Sequence, residues 1–108
     1  AGSVVSIGTG VTQFKIGDDV FGETNLNFSS NAEYLCISED GVIMHKPENL
    51  SFAEASSFCY GHITSINFLK ELGKIKQGQK VLINGASGSL GVSAIQLAKF
   101  FGAEVTGV

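Results

Sequence analysis

Gly85, Gly88 and Gly91 recur at a spacing of three between the apolar run Val81-Leu82-Ile83 and a following stripe of apolar residues. A turn of this kind offers backbone, not side chains, to a ligand. Gly85 permits a tight exit from a strand, Gly88 removes a side chain where the backbone must approach an anion, and Gly91 lets the next helix pack closely. The N–H groups of Gly88, Ser89, Leu90 and Gly91 would face a phosphate or pyrophosphate from the positive end of a helix dipole, and Ser87 could add its hydroxyl. The pattern is Gly-x-x-Gly-x-x-Gly instead of the commoner Gly-x-Gly-x-x-Gly, and no Gly-Lys-Ser/Thr closes it, which excludes a Walker loop. A glycine trio by itself is equally a plain structural turn or a helix cap without a ligand. The flanking elements decide.

Those elements are present. Val81-Leu82-Ile83 reads as a strand, and Leu90, Ala94, Ile95, Leu97, Ala98 and Phe101 form a stripe of helical period with Gln96 and Lys99 off the buried face and Gly102 as the C-terminal cap. Ala103 to Val108 then begins a second strand. Strand, glycine turn, helix and strand in this order make the first βαβ unit of a dinucleotide-binding sheet with a right-handed crossover.

The first fifty residues follow another pattern. Val4, Val5 and Ile7, Phe14-Lys15-Ile16, and Val20-Phe21-Gly22 are short apolar pieces separated by glycine and aspartate turns, as in a small β-barrel or sandwich. Ala32 to Ile37 is expected to be a further strand covered on both faces, and Gly41 to His45 another. Thr24 to Asn31, rich in Asn and Ser, reads as a surface loop. A boundary falls at Lys46 to Leu50, around the single proline, and Ser51-Phe52-Ala53-Glu54 fits a capping box that opens a helix. A second helix is expected over Thr64 to Leu72, burying Ile63, Ile66, Leu69 and Leu72 and stopping at Gly73. The division expected is therefore 1–50 and 51–108.

Composition narrows the function classes. In 108 residues with 44% hydrophobic content, the net charge is −3 and the seven cations are all lysines, scattered along the chain, which argues against a nucleic-acid surface. The mean hydropathy is +0.24. No apolar run reaches the roughly 18 residues that span a bilayer, and no signal-peptide pattern opens the chain, so the expectation is a cytoplasmic protein without a membrane partner. Cys36 and Cys59 form no CxxC pair and read as reduced packing residues. His45, beside Lys46 at a strand end, reads as solvated. Cys59 with His62 makes no convincing nucleophilic pair, since no third group orients the imidazole.

The strings Gly78 to Gly91, Ala94 to Lys99 and Gly102 to Val105 resemble the medium-chain dehydrogenase/reductase superfamily, and within it the zinc-independent quinone oxidoreductase branch. Ala1 to Val4, Val11 to Gly22, Ala32 to Tyr34 and Lys46 to Ser51 resemble the same family's GroES-like catalytic domain running into its hinge helix. The resemblance spans essentially the whole chain. It implies an α/β fold, with the C-terminal part of a GroES-like β-barrel followed by the first βαβ unit of a Rossmann domain. Family members are longer at both ends, so the chain is expected to be an internal fragment of a homodimeric protein.

For function, the resemblance implies an NAD(P)H-dependent reductase of quinones, enones or related small carbonyl compounds, including the enoyl-reductase domain of a larger synthase. The alternative is a catalytically silent fragment or a binding or structural relative. Cofactor contacts carry over to Thr64, Gly85, Ser87, Gly88, Ser89, Leu90 and Gly91, with Thr64 matching the hinge threonine beside the nicotinamide ribose. NADP(H) follows from the branch, and NAD(H) stays open because the ribose selector is expected about 20 residues past the glycine turn. No zinc is expected: Tyr60 stands where zinc-dependent relatives carry a ligand cysteine, and a four-cysteine lobe has no counterpart. His62 stands where the family usually has glycine. It reads as a structural histidine, the other reading being a proton donor beside the nicotinamide.

Overall fold

A computed structural model describes residues 1–24 and 30–108. The chain is α/β and divides into two compact units, Ala1–Ser57 and Phe58–Val108. Residues 25–29 of the expected Thr24 to Asn31 loop lie outside the described residues.

In the first unit β1 (Gly2–Ser3), β2 (Asp19–Glu23) and β3 (Val42–His45) form an antiparallel sheet in that order, with Val20 opposite His45 and Phe21 opposite Met44. Phe21 is buried. Gly22 lies so close to the Val42 carbonyl that a Cβ there would collide with it. The expected strand at Ala32 to Ile37 does not form. No backbone hydrogen bond joins residues 32–37 to the other described residues, and Tyr34 is 73% exposed. Alternating apolar residues favour a strand only where a partner and a covering layer exist, and this segment has neither among the described residues.

The capping box does form. Ser51 donates from both N–H and Oγ to Glu54 Oε2, at 2.8 and 2.7 Å, and the Glu54 N–H donates to Ser51 Oγ at 3.3 Å. It opens α1 (Phe52–Ile66), which runs directly into a π-helical turn at Asn67–Leu72. The expectation of a separate helix starting at Thr64 is thus corrected. Nothing in Phe58 to Ile63 can cap or break a helix except Gly61, and Gly61 stays helical because it serves a close approach described below. The expected buried set is corrected too: Ile63, Ile66 and Leu72 are exposed and Leu69 half-buried, while Cys59, Gly61 and Ser65 are buried. The helical run ends at Gly73 as expected, with the Gly73 N–H on Phe68 O at 2.8 Å, although it is Lys74 that takes the left-handed conformation.

The second unit is a βαβ unit. β4 (Lys80–Ile83) and β5 (Glu104–Gly107) pair in parallel with Val81 opposite Val105, and α2 (Ser89–Phe100) connects them. Ile83 and Ala98 are buried on the sheet and helix sides, and Gly102, at φ +79°, turns the chain from α2 toward β5. Gln96 and Lys99 are exposed as expected, but Leu90, expected in the buried stripe, is 41% exposed. No helix among the described residues is long and apolar enough to cross a membrane.

Candidate anion-binding turn

The turn after β4 is tied down at its start and left open at its end. Gly85 adopts φ +74°, which costs a non-glycine residue strain, and its N–H and that of Ala86 both donate to Val108 O, at 2.8 and 3.0 Å. Gly88 caps α2 with extended backbone (φ −78°, ψ 166°) and accepts the Val92 N–H at 2.8 Å. A Cβ on Gly91 would run into Gly85 O and lie 2.7 Å from Ala86 Cα, so α2 can begin here only with glycine at this position. The close packing that Gly91 allows is therefore against the turn itself.

The donor inventory follows from this geometry. The Gly88 N–H is already committed to Gly85 O at 3.1 Å, so Gly88 is not a free donor, contrary to the expectation that its amide faces the anion. The N–H groups of Ser87, Ser89, Leu90 and Gly91 meet no acceptor among the described residues. Three of them belong to the first turn of a helix, where N–H groups lie along the axis at the positive end of the dipole. In front of Gly88 there is room: a Cβ there would meet only Gly85 O, at 3.5 Å. Unpaired donors, positive potential and an absent side chain together fit a pyrophosphate.

Behind this turn α1 crosses α2 at small residues. A Cβ on Gly61 would fall 2.6 Å from Ser93 Oγ and 2.8 Å from Ser89 Oγ. Ser65 Oγ donates to Leu90 O at 3.0 Å, and Ser93 Oγ donates to Ser89 O at 2.8 Å. His62 completes the cluster, with Nδ1 3.0 Å from Phe58 O and 3.1 Å from Ser93 Oγ, and its ring stacked on Phe58 at 3.8 Å and 9°. The Phe58 carbonyl can only accept and the Ser93 hydroxyl proton is directed to Ser89 O, so Nδ1 carries a proton that the two oxygens share. His62 is thereby tied into the crossing of the two helices.

Of the residues expected to touch cofactor, Gly85 to Gly91 come together in the turn. Thr64 is half-buried near the end of α1, well inside a helix and not at its start. Sequence reasoning missed Gly61, Ser65 and Ser93. Their signal was available as small residues four apart on both helices, Gly61 and Ser65 facing Ser89 and Ser93. Among the described residues no three His, Cys, Asp or Glu side chains gather into a group that could hold a metal ion. Cys59 is buried and Cys36 exposed, and neither forms a disulfide.

No family model matches the chain. Among curated proteins it is 37% identical over 107 residues to a quinone oxidoreductase of Sus scrofa, which takes in 99% of this chain and 32% of that protein. It is 36% identical over 102 residues to the probable polyketide synthase 40 of Dictyostelium discoideum, covering 94% of this chain and 4% of the synthase. Among solved structures, the quinone oxidoreductase of Coxiella burnetii superposes with a TM-score of 0.87 at 37% identity over 98% of this chain and 33% of its own. The chain belongs to the medium-chain dehydrogenase/reductase superfamily, in its quinone oxidoreductase-like branch. Two further structures are similar to this branch member. The CurK enoyl reductase matches with a TM-score of 0.77 at 29% identity over 98% of this chain and 31% of its own. The quinone oxidoreductase of Thermus thermophilus, solved also as a complex with NADPH, matches at 0.56 and 32% identity over 61% and 22%. The chain spans about a third of the quinone oxidoreductases it resembles and a few per cent of the synthase.

Proposed function

We propose that this chain carries the pyrophosphate-binding turn of an NADP(H)-dependent, zinc-independent oxidoreductase that reduces a quinone, an enone or a related small carbonyl compound. In this reading residues 1–50 are the later part of a GroES-like catalytic domain, and residues 51–108 are the hinge helix and first βαβ unit of a Rossmann domain. The observation that carries it is the set of unpaired N–H groups at Ser87, Ser89, Leu90 and Gly91 around the open face of Gly88. Likeness to quinone oxidoreductases, one of them solved with NADPH, supports the nicotinamide cofactor.

The residues present fit that group. The α2 amides and the Ser87 hydroxyl would hold the pyrophosphate, and Thr64 the nicotinamide ribose. When bound, NADPH supplies the hydride. The chain's contribution is orientation: fixing the pyrophosphate on a rigid turn confines the nicotinamide to a narrow range of positions, which is how binding energy far from the reacting atoms accelerates transfer. The full-length protein acts as a cytoplasmic homodimer. A second reading, an enoyl-reductase domain within a larger synthase, is favoured by the likeness to polyketide synthases and to the CurK enoyl reductase.

Titration of the full-length protein with NADPH and NADH, followed by nicotinamide fluorescence, tests the cofactor. Saturable NADPH binding with quinone reduction is the expected result. Turnover of enoyl thioesters in place of quinones would favour the second reading, and no binding of either nucleotide would leave a silent relative of the fold.

A further inference from the structure

We infer that Ser65, and His62 acting through Ser93, are positioning residues that strengthen the anion-binding N–H groups of Gly91 and Leu90 from behind. The inference rests on the reading of this turn as the pyrophosphate site. A peptide group is one conjugated unit, so a donor bonded to its oxygen withdraws density from its nitrogen and makes the N–H at the other end a better donor. Ser65 Oγ donates to Leu90 O, and the N–H of that same peptide group belongs to Gly91. Ser93 Oγ donates to Ser89 O, and the N–H of that peptide group belongs to Leu90. Both amides lack an acceptor within the described chain.

His62 extends the second of these chains. Its Nδ1–H is shared between Phe58 O at 3.0 Å and Ser93 Oγ at 3.1 Å, and the part that reaches Ser93 Oγ, whose own proton goes to Ser89 O, polarises that hydroxyl toward the Leu90 N–H. Burial matters as much as direction. Ser65 and Ser93 are 4% and 3% exposed, so water does not compete for either hydroxyl, and in such surroundings a hydrogen bond is electrostatically stronger than at the surface. Bonding of a helix serine to the carbonyl four residues back is ordinary and would explain Ser93 alone. It does not explain Ser65, which reaches across from α1 to the next peptide group along. Gly61 is what lets α1 come near enough for both.

The test uses the full-length protein and the variants Ser65→Ala, Ser93→Ala, His62→Leu and His62→Asn, with thermal unfolding to verify the fold. Two quantities are read: the amide proton shifts of Leu90 and Gly91 without ligand, and the Kd for NADPH. Ser65→Ala should move the Gly91 amide upfield and leave Leu90 in place, and Ser93→Ala should do the reverse. Each should weaken NADPH about threefold, the low end of the net worth of one hydrogen bond. His62→Leu should move the Leu90 amide by less, and His62→Asn, which keeps a donor near the Nδ1 position, should restore it. If Ser93→Ala does not fold, the two His62 variants carry the same test. Unchanged amide shifts, or NADPH affinities equal across all variants while the wild type binds, overturn the inference alone. A wild type that does not bind NADPH overturns the reading of the site and the inference with it.

Discussion

The two histidines of this chain sit in regions that treat an imidazole in opposite ways. His62, in the second unit, is half-buried, stacked on Phe58 and bonded through Nδ1 to a carbonyl and a hydroxyl. His45, in the first unit, keeps 60% of its side chain exposed, lies 3.8 Å from Asp18 and tilts against Phe14 at 5.0 Å. Asp18 does not depend on it, because its carboxylate already accepts the Lys15 N–H at 2.9 Å. A contact at that distance and exposure contributes little, whereas a ring fixed by directional bonds in a covered site restrains everything bonded to it. The chemistry of the residue type is the same; what differs is whether water can replace its partners.

The largest break in this contrast comes from removing the space that the second unit is built around. Gly91→Ala places a methyl group against Gly85 O and Ala86 Cα, both backbone atoms, so the turn or the helix start must move. The expected loss is about 3 kcal/mol of stability, together with loss of NADPH binding, read by denaturant unfolding and by nucleotide titration. Gly61→Ala comes next. Its methyl would meet the hydroxyls of Ser93 and Ser89 and also the Ser89 carbonyl, at 2.9 Å, so α1 and α2 must separate. A cost of about 2 kcal/mol is expected.

Leucine at each histidine then tests the comparison directly. His62→Leu should cost about 1 kcal/mol, the usual net value of a buried hydrogen-bonded group. His45→Leu should stay within about 0.5 kcal/mol of wild type, as surface replacements do. Equal effects of the two substitutions in urea unfolding would mean that the hydrogen bonds of His62 do not restrain the crossing.

The sequence was legible where a local rule has a local cause. The glycine turn, the capping box, α2 and the parallel β4 and β5 all follow from residues adjacent to where they act: Gly85 takes its positive φ, Ser51 and Glu54 exchange bonds, and Gly102 turns the chain. It was not legible where the outcome depends on a distant neighbour. Residues 32–37 have the alternation of a strand but no partner among the described residues, and Ile63, Ile66 and Leu72 have the period of a buried stripe but remain exposed. In their place the helix buries Gly61 and Ser65, where α2 comes close, together with Cys59. Likewise the loss of the Gly88 amide as a donor follows from the turn closing on Gly85 O, which glycine spacing alone does not reveal.

The smallest effect is the pH-dependent part of the capping box of α1, a reciprocal hydrogen-bonded pair exposed to water. The Ser51 hydroxyl, and next its N–H, hold the Glu54 carboxyl below its ordinary value of 4.5. The folded protein therefore releases this proton more readily than the unfolded chain. The contribution is complete above the unfolded value and is lost as pH falls through the lower folded one. Stability of wild type and Ser51→Ala, compared by thermal unfolding, should differ by a constant amount near neutral pH, and the difference should narrow on acidification below about 4.5, the usual glutamate value. Salt should reduce it as well, since an exposed carboxylate is screened. The Ser65 hydroxyl and its acceptor Leu90 O do not titrate and are covered, so the difference between wild type and Ser65→Ala should remain flat through the same acid range. A matching acid dependence at both places would show that exposure, and not the bonded partners, had been misjudged at one of them.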